Sequence, residues 1–137
     1  MKLETKRLIL RPLKDSDAKN IVENINNLNV TKWLLVVPYP YTLKDSKKWI
    51  KENKNKWKKK KKESYGFGIE LKEEKSIIGG IGIHDFNKFQ RKASIGYWIG
   101  EKYHKTIRRF SGGLREGSKD ACVLYHVSHQ CGFICTR

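Results

Sequence analysis

The chain has 137 residues, enough for one domain with its own core, and the 38% of apolar residues are interspersed and periodic, which excludes a disordered chain. No run approaches the roughly 18 apolar residues of a membrane span, and the N-terminus lacks a signal-peptide apolar stretch; a cytoplasmic protein without a membrane anchor is expected. A formal charge of +16, from 30 lysines and arginines against 14 acidic residues, predicts salt-sensitive attraction to polyanions.

Residues 5 to 12 read as a first strand, closed by Pro12. Asp15 or Ser16 can cap a helix in which Ala18, Ile21, Val22, Ile25 and Leu28 recur at helical spacing. The asparagines that follow break that helix into a loop. Residues 33 to 37 are apolar, and Pro38 and Pro40 hold the next stretch extended. Thr42-Leu-Lys-Asp45 has the form of a capping box and opens a second helix, with Trp49, Ile50, Asn53 and Trp57 on one face and lysines over the rest.

Tyr65 to Leu71 alternates as a strand, Lys72 to Lys75 is a charged hairpin turn, and Ser76 to His84 is the return strand. A polar turn from Asn87 to Lys92 leads to a strand from Ala93 to Gly100. That strand sets Ala93, Ile95, Tyr97 and Ile99 against Ser94, Gly96, Trp98 and Gly100, the period of two of a half-buried strand. Glycines inside strands are a weakness, so their cluster here points to bulges, or to close approach of another backbone or a ligand. The fold class is α+β with a mixed sheet, in the order β-α-α-β-β-β. No internal repeat is present, and the lysine run from Lys58 to Lys62 is the single low-complexity segment. That run reads either as a solvated helix face or as a non-specific contact with RNA or the ribosome. No RNA-binding motif with interleaved aromatics accompanies it.

Several ordered segments carry a family resemblance. They are Leu3-Glu-Thr-Lys-Arg-Leu-Ile-Leu-Arg-Pro-Leu13, Thr31-Lys-Trp33, Pro38-Tyr-Pro-Tyr-Thr42 with Trp49-Ile50, Ser76 to Asn87, and Lys92 to His104. Over residues 3 to 104 the chain resembles the GNAT superfamily of acetyl-CoA-dependent N-acetyltransferases. The branch it is most similar to acetylates the N-terminal alanine of ribosomal proteins. The resemblance implies a domain at 1–104 with the N-terminal half of the GNAT fold, acetyl-CoA as donor, and a primary amine (a protein N-terminus or a small amine) as acceptor.

It also implies roles for particular residues. The pantetheine arm would pair like an extra strand with the backbone of Tyr97, Trp98 and Ile99, one N–H meeting the thioester oxygen. Trp33, Tyr39 and Tyr41 would border the acceptor cleft, offering area and a cation–π surface to an ammonium; Trp33 reads equally well as a core anchor. The glutamate that members of this branch often carry in the fourth strand falls on Ser94, a poor proton acceptor. His84, at the end of the preceding strand, can take a proton directly or through water, or is a surface histidine. The catalytic base is therefore left unassigned.

The resemblance stops after His104. The family's pyrophosphate loop is approximated by Arg109-Phe-Ser-Gly-Gly-Leu114, where leucine stands at a position that needs a small residue. Residues 105–137 form an atypical tail that holds all three cysteines. A shift of reading frame near residues 104–106, leaving a truncated and impaired enzyme, is the expectation. The rival is a tail with zinc ligands His126, His129, Cys131 and Cys135, but these spacings match no common structural site, so no metal is expected. A disulfide is not expected in a reducing compartment. The alternative function is a basic RNA- or ribosome-associated binding module without catalysis, and a third reading is a remnant that neither folds fully nor binds. Oligomeric state is not read from the sequence.

Overall fold

The computed structural model describes residues 2–34, 37–59, 64–87, 89, 92–104 and 134–135. Its sheet runs in sequence order, β1 (Leu3–Glu4), β2 (Leu8–Arg11), β3 (Tyr65–Leu71), β4 (Ser76–Asn87), β5 (Lys92–Ile99) and β6 (Ile134–Cys135). Pairing is antiparallel from β1 to β5, and β6 lies parallel to β5. The expected α+β class holds. The first strand is shorter than the 5–12 expectation, because the Thr5 hydroxyl accepts from the Leu8 amide at 2.9 Å and folds the chain into a hairpin. Strand β4 also runs past His84 to Asn87.

Three helices cover one face of the sheet. Before α1 (Ala18–Ile25), the Lys14 amide donates to the Asp17 carboxylate at 2.7 Å, which makes a 3-10 turn of Asp15–Asp17 rather than a cap at Asp15 or Ser16. Leu28 lies outside α1 and is 56% exposed. Asn26 ends α1, and the Asn27 side chain restarts the chain as α2 (Leu28–Thr31) by accepting from the Asn29 amide at 2.8 Å. The Asn27 bond is the local side-chain bond by which asparagine competes with a continuing helix, whereas the Asn26 side chain accepts from the distant Tyr41 amide at 3.0 Å. Helix α3 (Leu43–Lys58) starts on the expected capping box, in which Thr42 and Asp45 exchange backbone-to-side-chain bonds of 3.0 and 3.3 Å. Ser46 of α3 donates to the Ala18 carbonyl at 3.0 Å and ties α3 to α1.

The helix side of the sheet buries Leu13, Ala18, Ile21, Ile25, Val30, Tyr41, Ile50 and Ile77, with Trp49 and Trp98 packed against them. Its opposite side buries Leu10, Phe67, Ile69, Leu71, Ile78, Ile81, Ile83, Ala93 and Tyr103. Each fully buried aliphatic or aromatic side chain contributes about 1.5–3 kcal/mol. Trp57 shares the sheet-facing side of α3 with Trp49, Ile50 and Asn53, as expected, but its ring reaches the second cluster. It meets Tyr65 and Phe67 edge-on and donates to the Gly66 carbonyl at 3.0 Å, where β2 has ended and the β3 edge would otherwise be open.

The strand glycines explain how the helices come so close. A Cβ on Gly66 would sit 1.9 Å from Asn53 Oδ1, and one on Gly80 would sit 2.7 Å from Trp98 Nε1. The close approach expected at the glycines is therefore made by side chains of α3 and β5. A bulge is present too: Ile69 faces Gly79 while Glu70 faces Ile77, so Ile78 is the extra residue. The bulge sends Ile77 and Ile78 into opposite cores, and the Ile77 carbonyl is recovered by Asn24 of α1 at 2.9 Å.

A second anchor is ionic. Arg11 donates two bonds to Asp17, 2.8 and 2.9 Å, and a third to Glu70, linking β2, β3 and the start of α1. Bonding to Asp17 is the largest cause of a raised guanidinium pKa; burial opposes it, and the bond to Glu70 adds to the rise. Among the described residues, no helix is long and apolar enough to cross a membrane.

Candidate active site

Strand β5 decides what the domain can hold. The Trp98 carbonyl is directed at Gly79 of β4, the Gly100 amide donates to the Ile78 carbonyl at 2.9 Å, and the Ser94 carbonyl meets His84 Nδ1 at 3.1 Å. The polar backbone groups of Ser94, Gly96, Trp98 and Gly100 therefore face β4. In an extended strand the alternate residues face the other way, so Ile95, Tyr97 and Ile99 direct their N–H and C=O groups to the outer edge.

That outer edge is only partly covered. Strand β6 pairs with Lys92 and Ala93, and no strand lies beside 94–99 on that side among the described residues. The Ile99 carbonyl is met by His104 Nε2 at 2.9 Å. What remains is a ladder of outward amides at Ile95, Tyr97 and Ile99, the form of edge to which an extended chain of alternating amides adds as a strand. The Trp98 backbone is used by β4. Its indole instead lies over Gly80, beside Trp49, as part of the helix-side core. Both faces of β5 are thus packed, and Tyr97 is the residue that stands out, 63% exposed.

His84 lies opposite Ser94 in the β4–β5 register, and its ring is turned toward Gly96, where an added Cβ would be 3.9 Å from Cε1. Its side chain is half exposed, and Nε2 is 3.9 Å from the Asp85 carboxylate. Asp85 adopts a left-handed φ of 54°, where the β4–β5 register shifts between His84 and Asn87. His84, Ser94, Gly96 and Trp98 alternate onto the helix side of the sheet, so an open imidazole and the Ser94 side chain share one surface next to the outward edge.

The three aromatic residues of the 31–41 connection separate. Trp33 is 78% exposed, with Lys32 Nζ 5.5 Å from its ring centroid, so it is not a core anchor. Tyr39 is 52% exposed. Tyr41 is a buried core residue whose phenol is pushed up to about 12, by burial first and by Asp45 and Glu52 after it. Two contacts went unread in the sequence: the Asn24 side chain on the Ile77 carbonyl and His104 on the Ile99 carbonyl. Nothing in the sequence marked the Asn24 bond, which spans 53 positions, or the shorter-range His104 bond.

A cleft of about 500 Å³ lined by Arg11, Lys14, Asp17, Glu70 and Lys72 lies between β2, β3 and the start of α1, toward the other end of the sheet from β5. Among the described residues, no group of histidine, cysteine, aspartate or glutamate side chains could hold a metal ion. The segment Arg109–Leu114 expected to approximate the pyrophosphate loop and the group His126, His129 and Cys131 lie outside the described residues, as do Lys60, Lys61 and Lys62; of Cys135 only the β6 backbone is described.

The model of one protein family, described as an acetyltransferase (GNAT) domain, matches residues 7–108. The chain belongs to this family. Of the curated relatives, the Bacillus subtilis (strain 168) protein named "Putative ribosomal N-acetyltransferase YdaF" is 28% identical over 70% of this chain and 52% of its own length. A second from the same organism, the uncharacterized N-acetyltransferase YoaA, is 33% identical over 71% of this chain and 53% of its length. Among solved structures, "a putative ribosomal-protein-serine acetyltransferase from Vibrio cholerae" superposes with a TM-score of 0.64 at 26% identity, covering 77% of this chain and 58% of that one. This GNAT domain spans about half the length of the curated relatives it matches.

Proposed function

We propose that this GNAT domain carries the thioester-facing and acceptor-facing surfaces of an N-acetyltransferase that moves acetyl from acetyl-CoA to a primary amine. The observation that carries the reading is the outward amide ladder of Ile95, Tyr97 and Ile99, placed beside His84 on a family scaffold. Acetyl-CoA supplies the activated acetyl thioester when bound. Tyr97 and Ile99 hold its pantetheine amides with their N–H groups, and one of these donors polarises the thioester carbonyl. The Trp98 indole fixes the strand from the helix side. His84 takes the amine proton, directly or through one water, and the Asp85 carboxylate stabilises the charged ring. Ser94, standing where the branch often has glutamate, orients but does not deprotonate.

On the acceptor side, Trp33 and Tyr39 offer exposed ring faces to an incoming ammonium, and Tyr41 anchors their connection in the core. The name of the Bacillus subtilis relative supports a ribosomal protein N-terminus as acceptor. With leucine at residue 114, the pyrophosphate adds little to binding, and the chain turns over slowly. Mass spectrometry of N-terminal peptides incubated with acetyl-CoA tests the reading. A 42-dalton adduct (an acetyl group replacing a proton, roughly, by mass) that falls at least about tenfold with His84→Gln, at unchanged acetyl-CoA binding, is expected. Undiminished transfer by that variant would remove His84 from the mechanism.

A further inference from the structure

Helix α3 faces the sheet with Ser46, Ile50 and Asn53, and carries a continuous cationic ridge on its opposite side. At 100° per residue, Lys44, Lys47, Lys48, Lys51, Lys54 and Lys58 fall within one arc, with no acidic residue among them. Asp45 and Glu52 lie to one side of that arc. Lys54 is paired with Asp15 at 2.6 Å; none of the other five is in a salt bridge among the described residues. The ridge is about 21 Å long, at 1.5 Å per residue. Like charges this close repel along the helix; Asp15 offsets Lys54, Asp45 partly offsets Lys44 and Lys48, and the rest of the repulsion is relieved by counterions or by a polyanion.

We propose that this ridge docks the domain on the phosphodiester backbone of structured RNA. A membrane surface fits poorly, because Trp49, Ile50 and Trp57 of α3 are already packed in the two cores and only Leu43, in its first turn and 39% exposed, is left to insert. An acidic protein fits poorly as well, since the ridge offers no aromatic or aliphatic centre of the kind protein interfaces are built around. RNA is chosen over DNA by the proposed acceptor: a ribosomal protein N-terminus is presented beside RNA, so this inference rests on the acetyltransferase reading. Docking through the solvent side of α3 leaves the β5 edge and His84 open.

The test is fluorescence anisotropy of the 137-residue chain with a labelled RNA hairpin of about 20 base pairs, without acetyl-CoA, across a potassium chloride series. The triple variant Lys44→Gln, Lys48→Gln, Lys51→Gln removes half the ridge, and Lys6→Gln, Lys19→Gln, Lys75→Gln removes equal charge elsewhere. The ridge variant is expected to lose at least about tenfold in affinity at 0.1 M salt, with its log–log salt slope shallower by about 2.5. The control should lose less than about threefold. Equal losses in both variants, no RNA binding, or tighter binding to phosphatidylserine vesicles, DNA hairpins or polyglutamate each overturns the proposal. Because anisotropy needs no acetyl donor, RNA binding without acetyl transfer would fault the enzymatic reading, and transfer to free peptides without RNA binding would fault this one.

Discussion

The side-chain amide of Asn24 donates to the Ile77 carbonyl at 2.9 Å, joining α1 to the bulge of β4 inside the protein. The same amide also reaches the Asn20 carbonyl at 2.9 Å, and the side chain lies against Gly100, where an added Cβ would be 2.6 Å from Asn24 Oδ1. One asparagine therefore sets where α1 sits relative to the end of β5. Asn24→Ala should cost about 1–3 kcal/mol in urea unfolding, because a buried carbonyl loses its partner. A change under about 0.5 kcal/mol would mean that the bulge closes without it.

Arg11 is the second fixed point. Its partners Asp17 and Glu70 have side-chain exposures of only 7% and 14%. Arg11→Met leaves two carboxylates with no cation in a poorly solvated place and should lower stability by about 3–5 kcal/mol. Urea titration at pH 7 measures it; a loss as small as that of an exposed ion pair would mean water reaches both carboxylates.

Gly80 should be intolerant of a side chain. A Cβ there would meet Trp98 Nε1 at 2.7 Å and Trp49 Cη2 at 3.1 Å, so one indole has to move. Gly80→Val is expected to cost about 1–3 kcal/mol and to change the near-ultraviolet circular dichroism of the tryptophans. An unaltered spectrum would place the indoles elsewhere.

Tyr41 makes stability fall at alkaline pH. Its ordinary value is 10.0 and its folded value about 12, so the folded chain holds the phenolic proton more tightly than the unfolded chain does. The contribution is complete below pH 10 and disappears as pH rises from 10 through about 12. Tyr41→Phe should remove it, so that the stability difference between the two proteins shrinks, or reverses, between pH 9 and about 11.5. Parallel stability curves over that range would show a solvated phenol.

Much of this architecture was written in local patterns. The Thr42–Asp45 box fixed the start of α3, and alternation set the bounds of β3 and nearly those of β5, because each depends on residues a few positions apart. The split of the first helix at Asn26 and Asn27 was half visible, since asparagines marked the break but not the restart. The direction of Trp57 depends on where β2 stops, and the bond from Asn24 to Ile77 spans 53 positions, so neither has a local signature. At the site, the family resemblance pointed to Tyr97, Trp98 and Ile99 together. Strand geometry separates them, giving outward amides to Tyr97 and Ile99 and an inward backbone with a core indole to Trp98. The exposures of Trp33 and Tyr41 were illegible for the same reason: an aromatic residue in a loop carries no period to say which way it faces.

The most direct test replaces Tyr97 with proline. Its N–H faces the outer edge, so Tyr97→Pro removes one donor from the proposed pantetheine ladder without taking a bond from the β4–β5 pairing, as edge positions allow. Isothermal titration calorimetry with S-acetyl-pantetheine and with acetyl-CoA should give saturable binding of similar affinity to the natural chain. At least about tenfold weaker binding to the variant is expected, equivalent to about 1.4 kcal/mol. Equal affinity in the two proteins, or no binding of either ligand to the natural chain, would contradict a thioester cradle on β5.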